Sequence, residues 1–427
     1  MLNYSIPRLK SLLRKKFAPP RSRNAREHRK ILIMLAFFSI SVGLWENFRQ
    51  LWLEDNGFSA SDVSNITGIA TFISIVGVVL AGFRLKTRHL KTFMIAVLGV
   101  KFINLLIFME LNYSDNLGMI DFCMLVDILT SYLILTSIYP LITTVAKSNR
   151  VYSGRKLVEY LFRDVGVLVG SVLISQHLLG FGVSYNDCLF VSMLFLAAAI
   201  FMMFEIDIRP TAKEPSSKAL ILKYVLKSRL QVCYMIYAFL AATSFATALG
   251  LKMLVLTNYL NFSASTATNY LLIVGFLSDL IGIVALRYFT PKNDYVTITL
   301  KFGIRLIAYL MAIIAEDPFV FLLALTWSIL ISTAYEDVSD GYYINLIDNR
   351  HQLSYNTVKH VMTYLGEAVG IVLSGVMYNL GLPYILGLSA FIMVFQMGFA
   401  YYIIYLRHHG HRRRHSSSRS RYNEDLL

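Results

Sequence analysis

The chain contains few cysteines and lacks the short motifs of several enzyme classes. Its three cysteines (Cys123, Cys188 and Cys233) lie singly within apolar stretches, so neither a disulfide framework nor a zinc site is indicated. The sequence also lacks a phosphate-binding glycine loop and a GxSxG element, which leaves ATP-driven transport and hydrolysis unsupported. We expect a protein that is not an enzyme and that holds no cofactor and no metal.

The chain is rich in apolar residues instead. Hydrophobic residues make up 56% of the 427 positions, and the mean hydropathy is +0.56. A soluble protein of this composition would have too few polar residues to cover its surface, so the composition indicates a membrane protein. A cleavable signal peptide is not indicated, because the first 30 residues are long and basic and the next segment has full spanning length.

Twelve apolar segments follow this basic stretch, and each is close to the ~20 residues that a membrane-spanning helix needs. They show no period-two alternation, and only helices or closed barrels satisfy their backbone groups in lipid. We therefore predict an all-α polytopic membrane protein. The predicted spans are 31–53, 60–83, 91–111, 117–143, 156–179, 186–206, 230–256, 264–288, 295–314, 318–346, 357–379 and 384–406.

The connections between segments differ in charge. Those after segments 1, 3, 5, 7, 9 and 11 contain no Lys or Arg, and most of them carry acidic residues. The connections after the even-numbered segments are basic. The positive-inside rule therefore predicts that both termini are cytoplasmic, in a cell (plasma or inner) membrane. The same placement explains the net charge of +14 as an orientation signal and an attraction to anionic lipid headgroups. We expect no nucleic-acid partner.

The second half of the chain repeats parts of the first at an offset of 204 residues. Residues 58–61 (FSAS) return as residues 262–265, and the same offset places Arg163 on Glu367. Several matches at one offset indicate two related halves.

The charge and hydropathy patterns divide the chain into five regions. These are a basic cytoplasmic arm (1–30), an N-terminal six-helix bundle (31–206), a cytoplasmic central loop (207–229), a C-terminal six-helix bundle (230–406) and a basic disordered cytoplasmic tail (407–427). The arm is either a short helix on an anionic leaflet or a disordered segment. We expect a monomer.

Six plus six helices with both termini inside, two related halves and a basic amphipathic central loop resemble the major facilitator superfamily (MFS) of secondary transporters. Between segments 2 and 3, the stretch GFRLKTRHLK (82–91) keeps the leading glycine and the basic residues of a family motif but lacks its Asp and its second Gly. Asn149-Arg150 and Asn349-Arg350 look like the paired family positions at the ends of helices 4 and 10. The resemblance implies 12 transmembrane helices in two pseudo-symmetric six-helix bundles that enclose one site near the bilayer midplane.

Two cations, Arg49 on segment 1 and Lys252 on segment 7, lie one position apart once the offset is applied. Charged residues inside a span are costly and usually mark a pathway. The resemblance implies that segments 1 and 7 line the central cavity, where two such cations clamp an anionic substrate. We predict substrate contacts from Arg49, Lys252, Glu46 and Trp45. The alternative is that both cations lie at helix ends and snorkel to the interface.

Other charges within the spans are predicted to couple protons or to form ion pairs. They are Glu367, Arg163, Asp164, Asp127 and Asp279. Glu367 is either a proton carrier or the ion-pair partner of Arg163, its repeat mate. Glu46 and Arg49 are three residues apart and share a helix face, so they either pair with each other or belong to a proton-coupling element.

Two further cations, Lys101 and Arg305, occupy equivalent repeat positions on segments 3 and 9. A structural role is favoured, with Lys101 paired with Asp127, and Arg305 paired with Glu336 or Asp337. Small residues permit close helix approach, and we interpret two such sets as a seam between the halves. These sets are Gly166-Gly170 and Gly370-Ser374-Gly375.

We conclude from the sequence that the protein is a secondary active transporter of a small solute. The preferred substrate is an anionic or zwitterionic metabolite, with proton coupling through carboxylates. One alternative is an exporter of lipophilic cations or drugs by proton antiport, with Asp127, Asp279 or Glu367 as its acidic site. The other is a non-transporting receptor or scaffold on a transporter fold.

Overall fold

The structure is a computed structural model that describes residues 23–46, 48–84, 89–110, 117–145, 149–178, 185–207, 229–288, 294–315, 317–330 and 352–424. The predicted N-terminal arm up to residue 22 and most of the central loop (208–228) lie outside the described residues. So does the end of segment 10, with Glu336 and Asp337.

Twelve helices run through the described residues, one for each predicted span. They are α1 (Arg23–Glu46 and Phe48–Asp55), α2 (Ala60–Arg84), α3 (Leu90–Glu110), α4 (Leu117–Val145), α5 (Asn149–Leu178), α6 (Tyr185–Glu205), α7 (Arg229–Leu249, Lys252–Leu254 and Val255–Tyr259), α8 (Ala264–Tyr288), α9 (Asp294–Ala315), α10 (Pro318–Leu330), α11 (Gln352–Tyr378) and α12 (Leu382–Glu424).

Eight of these helices, namely α1, α2, α3, α4, α6, α7, α11 and α12, are long and apolar enough to cross a membrane. The surface of the molecule also indicates membrane-spanning helices. On α2, Ile69, Phe72, Val76 and Leu80 recur every three or four residues and are 52–59% exposed. A continuous apolar helix face of this size is unfavourable in water and suits lipid.

The two halves use the same kind of contact between their first and sixth helices. In the first half, the Ser192 hydroxyl of α6 donates to the carbonyl of Ser41 on α1 at 2.8 Å. In the second half, the Ser389 hydroxyl of α12 donates to the carbonyl of Ser244 on α7 at 2.7 Å. In each pair the two hydroxyls also contact each other. The repeat seen in the sequence is therefore also present in the contacts between helices.

Glycines bring the first and fifth helices of each half together. A Cβ on Gly166 of α5 would lie 2.3 Å from the carbonyl oxygen of Ile40 on α1. A Cβ on Gly370 of α11, which is 204 positions later, would lie 2.5 Å from the carbonyl oxygen of Thr243 on α7. Larger side chains would separate both helix pairs.

These glycines correct one expectation from the sequence. Gly166, Gly170 and Gly370 were expected between the halves, but they pack helices inside each half. Of that set, Gly375 does lie between the halves, where an added Cβ would lie 1.6 Å from the Ser64 hydroxyl of α2. A small-residue pattern shows that another helix comes close, but not which one.

The two halves meet along two helix contacts, α2 against α11 and α5 against α8, which we call the seam. On the α5–α8 side, Ser171 hydrogen-bonds to the side-chain oxygen of Asn269 at 2.5 Å. On the α2–α11 side, a Cβ on Gly68 would lie 2.4 Å from Val372.

The C-terminal tail differs from the sequence prediction. Residues 407–427 were expected to be disordered, but α12 continues through Glu424. The chain contains no proline after Pro383, so no proline interrupts α12 beyond the last span.

Candidate functional site

Charged side chains from α1, α5, α7 and α11 meet near the middle of the molecule. They are Glu46, Arg163, Lys252 and Glu367, and we call them the charge core. Every member lies close enough to the other three for their charges to interact. Arg163 is the fifteenth of the 30 residues of α5, and Glu367 is the sixteenth of the 27 residues of α11. Arg163 and Glu367 thus lie near the middle of their helices, whereas Glu46 ends the first part of α1 and Lys252 follows the break in α7.

Each half of the chain supplies one acid and one base to the charge core, with the signs reversed on equivalent helices. The first helix of each half contributes Glu46 or Lys252, and the fifth contributes Arg163 or Glu367. Arg163 and Glu367 are related by the 204-residue offset. The repeat has thus placed opposite charges face to face across the interface of the halves.

Glu46 and Arg163 form an ion pair between α1 and α5, in which the guanidinium donates to the carboxylate. The close approach of these helices positions the pair, because a Cβ on Gly43, one turn before Glu46, would lie 2.1 Å from the Arg163 carbonyl oxygen. The two side chains remain 32% and 38% exposed. An exposed ion pair is weakly held, so either partner can exchange its contact for a charged solute.

Lys252 follows an interruption of α7 at Gly250 and Leu251. The Gln50 side chain of α1 bridges this interruption. Its amide nitrogen donates to the Gly250 carbonyl at 2.7 Å, and its oxygen accepts from the Met253 backbone N–H at 3.3 Å. Gln50 thus satisfies backbone groups that the break leaves without helix partners, and it links the two halves beside the charge core.

Glu367 of α11 lies close to Tyr132 of α4, which belongs to the other half. Tyr132 and Tyr364, which lies three residues before Glu367, stack with ring centroids 4.1 Å apart and an angle of 14° between planes. This aromatic pair crosses from one half to the other. Nothing in the spacing of the sequence singled out Tyr132, because its contacts are made by helices far apart in the chain.

A second charge network lies inside the first half. Asp127 of α4 accepts from Lys101 of α3 and, at 3.2 Å, from Arg49 of α1. The Lys101 ammonium also donates to the Ser131 hydroxyl at 2.9 Å. The side chains of Lys101 and Asp127 are only 3% and 4% exposed, so this network is sealed from solvent. It has the features of a structural ion pair, as the sequence suggested for Lys101.

In sequence, the chain matches no protein-family model and no curated protein. In structure, it is similar to several solved membrane proteins at low identity. A point variant of the nucleoside transporter NupG aligns with a TM-score of 0.67 and 12% identity, covering 88% of this chain and 99% of NupG. The human organic anion transporter MFSD10 aligns with a TM-score of 0.63 and 11% identity, covering 89% and 100%.

The E. coli protein FucP, described as an MFS transporter in the outward conformation, aligns with a TM-score of 0.60 and 15% identity, covering 88% of this chain and 98% of FucP. The chain has the MFS fold. Together with the apolar helix faces, the MFS fold makes the chain an integral membrane protein. The expected fold class, with two pseudo-symmetric six-helix bundles, is confirmed.

The two predicted clamp residues, Arg49 and Lys252, have different neighbours. Arg49 is held by Asp127 inside the first half, whereas Lys252 lies with Arg163. The expected Glu46–Arg49 pairing is likewise replaced, because α1 lies between α4 and α5 and each residue turns to a different neighbour. Arg49 also lies close enough to Glu46 and Glu367 for their charges to interact, and the substrate contacts of Arg49 and Lys252 stay a prediction.

Trp45 was predicted to contact substrate, but it is buried in the first half. It is 3% exposed, and its ring packs against Trp52 and Phe108, with centroids 5.7 Å away in each case. Trp45 and Trp52 are seven residues apart and so share the face of α1 that is turned toward α3. The helix face that carries them differs from the face that carries Glu46.

The last predicted site residues lie at the edges of this arrangement. Asp164 is near Lys252, and an added Cβ on Gly275 of α8 would lie 3.6 Å from its carboxylate, which places Asp164 on the seam. Asp279 belongs to α8, but its side chain lies outside the described residues. Arg305 is 3% exposed and donates to the Tyr309 hydroxyl at 3.0 Å, while its predicted acidic partners fall outside the described residues.

Proposed function

We propose that the protein is a secondary active transporter that moves a small anionic or zwitterionic solute by alternating access, coupled to protons. The observation that carries this proposal is the charge core, in which two cations and two carboxylates from both halves lie close together. The Glu46–Arg163 pair in the charge core is about one-third exposed, whereas the Lys101–Asp127 pair of the same chain is sealed from solvent.

The balance of charges supports both parts of the proposal. The charge core is balanced, with two cations (Arg163 and Lys252) and two carboxylates (Glu46 and Glu367). A zwitterion offers one group to Arg163 and Lys252 and the other to Glu46 and Glu367. A plain anion instead adds a negative charge to a balanced cluster within the membrane, and a proton on one carboxylate restores the balance.

The structural neighbours support secondary transport, although their substrates differ in charge. MFSD10 is described as an organic anion transporter and FucP as a fucose:proton symporter. The fold with its two related halves fits the rocking motion of alternating access about a central site. The carboxylate in the charge core that we assign to proton binding is Glu367, with Glu46 and Arg163 as the exchangeable ion pair.

Ligand-induced stabilisation of the purified protein in detergent tests the proposal. The panel contains carboxylated and phosphorylated metabolites, amino acids, neutral sugars and lipophilic cations. A ligand that binds only the folded state at 100 times its Kd stabilises it by about 2.7 kcal/mol. We expect stabilisation by anions or zwitterions, and its loss in Lys252→Gln.

The matched control is Lys30→Gln. Lys30 lies on the same helix as Glu46 but about 24 Å away at 1.5 Å per residue, so its removal leaves the charge core intact. Stabilisation by lipophilic cations alone would favour the exporter alternative. Stabilisation by anions that survives unchanged in Lys252→Gln would contradict the assigned site.

We also propose that both termini are cytoplasmic, as the distribution of Lys and Arg predicts. The three native cysteines are buried, so an introduced cysteine labels over a low background. Asn56→Cys, in the α1–α2 turn, should react with a membrane-impermeant maleimide in intact cells. Arg229→Cys, at the exposed start of α7, should react only after permeabilisation. The reverse pattern would invert the orientation.

A further inference from the structure

The second charge network, inside the first half, carries one more positive charge than negative charge. Its single carboxylate, Asp127, is shared by two cations, with the Lys101 ammonium on one oxygen and Nη1 of Arg49 at 3.2 Å from the other. Lys101 and Asp127 are buried, and Arg49 is 14% exposed. The charge core does not supply the missing negative charge, because its own two cations balance its two carboxylates. An excess positive charge held this deeply within the spans is unfavourable.

Two buried N–H groups beside this network have no acceptor among the described residues. They are Nε of Arg49 and Nε1 of Trp45. Both groups are donors that cannot accept a hydrogen bond, so rotating or reprotonating either side chain does not satisfy them. A buried donor without an acceptor is costly and rare in folded proteins. Each group therefore needs an acceptor that the described part of the chain does not provide.

The two donors start from the same face of α1. Trp45 and Arg49 are four residues apart, which places their Cβ atoms about 5–6 Å from each other. The Trp45 ring is 3% exposed and is fixed by Trp52 and Phe108, whose ring planes lie at 77° and 60° to it. Apart from the donors and the cations, these surroundings are apolar. They favour a small anion with one charge over a strongly hydrated anion with several.

We infer that Arg49 and Trp45 bind a small monovalent inorganic anion, such as chloride, at a site separate from the charge core. The anion accepts hydrogen bonds from the two N–H groups and supplies the one negative charge that the network lacks. A water molecule would satisfy the donors but would leave the excess charge in place. The anion enters on the side of Arg49, the most exposed member of the network.

Thermal unfolding of the purified full-length protein in detergent tests this site. Chloride replaces gluconate, a large organic anion, in steps at constant ionic strength, so that only the identity of the anion changes. An anion that binds only the folded state raises the melting temperature as its concentration increases. In the wild-type protein we expect chloride to raise the melting temperature. A parallel series with acetate, which probes a carboxylate, should raise it less.

Trp45→Phe keeps an aromatic ring and removes the N–H. We expect it to raise the apparent Kd for chloride about tenfold or more, as the loss of one hydrogen bond to a charged group predicts. The readout is the difference between chloride and gluconate, which a purely structural role of Trp45 would leave unchanged.

Trp327→Phe is the matched control, because it removes an indole N–H from α10 in the other half, where Trp327 is 45% exposed. This control should keep the wild-type response to chloride. Arg49→Lys keeps the positive charge beside Asp127 and removes the Nε–H. It should also weaken the response, and it serves if Trp45→Phe does not fold.

Three results would overturn the inference. Equal melting temperatures of the wild-type protein in chloride and in gluconate would leave the two donors to water. A response to chloride in both Trp45→Phe and Arg49→Lys equal to that of the wild-type protein would place the anion elsewhere. Stabilisation by acetate but not by chloride would assign the donors to a carboxylate, a group expected on the transported solute. The first two results would leave the proposed transport site in the charge core untouched.

Discussion

Replacing Asp127 with asparagine should destabilise the protein strongly, because Asp127 is the carboxylate shared by Lys101 and Arg49. The ammonium of Lys101 is buried, and the Arg49 guanidinium lies 3.2 Å from the carboxylate with 14% of its side chain exposed. At 3.2 Å, and with an effective dielectric constant of about 20, one such pair attracts by about 5 kcal/mol before desolvation is counted.

The net effect is smaller than this attraction but still large. Removing one partner of a buried ion pair typically costs about 3–5 kcal/mol, since the remaining charge stays buried without compensation. Asparagine keeps one acceptor oxygen, so we expect Asp127→Asn to lower the free energy of unfolding by about 3 kcal/mol, at the lower end of that range. The assay is SDS-induced unfolding in mixed micelles, followed by circular dichroism.

Asp121→Asn is the matched control for this prediction. Asp121 lies on the same helix, six residues earlier, and is exposed. Its replacement should change the free energy of unfolding by less than about 0.5 kcal/mol. The double variant Lys101→Met with Asp127→Leu should lose less stability than Asp127→Asn, because no buried ammonium remains. If Asp127→Asn were as stable as Asp121→Asn, the sealed network would have no structural role.

Three further predictions concern packing and the contact between the halves. Gly370→Val should abolish folding, because its Cβ would lie 2.5 Å from the Thr243 carbonyl oxygen. Gly303→Ala should be tolerated, because a Cβ there has no atom within 4 Å. The yield of monodisperse protein in gel filtration compares the two variants. Gln50→Ala should remove the two side-chain hydrogen bonds that Gln50 makes to the break in α7. The α1–α2 end of the molecule should then open more easily. Faster labelling of the introduced cysteine in Lys252→Cys measures this opening. Trp45→Phe should lower the melting temperature without changing ligand affinity, because Trp45 is buried among aromatic rings; a changed Kd would return it to the binding site.

The fold could be predicted from the sequence because each span carries its own signal. Length and apolarity define a membrane helix locally, and the offset of 204 residues relates the two halves without any knowledge of their packing. The Lys101–Asp127 pairing could also be predicted from the sequence, since two opposite charges within neighbouring spans have few other partners. Helix ends that lie in polar sequence, such as the end of α12 at Glu424, were harder to predict.

The composition of the charge core could be predicted only in part. Arg163, Lys252, Glu46 and Glu367 were recognised as intramembrane charges, but their grouping depends on which face each helix turns inward. Arg49 illustrates the difficulty, because its depth in the membrane resembles that of Lys252 while its direction is set by Asp127 on α4. Helix rotation results from packing contacts such as Gly43 against α5, and a single sequence does not reveal them.

Uptake into proteoliposomes tests the central proposal most directly. Purified protein is reconstituted, a pH gradient that is acidic outside is imposed, and labelled carboxylates, amino acids, sugars and lipophilic cations are offered in turn. The proposal predicts that at least one anionic or zwitterionic solute accumulates against its gradient, that collapsing the pH gradient stops the accumulation, and that Lys252→Gln prevents it while Lys30→Gln does not. Folded protein that accumulates only neutral or cationic solutes, or equal accumulation by Lys252→Gln, would contradict the assignment of the charge core as the transport site.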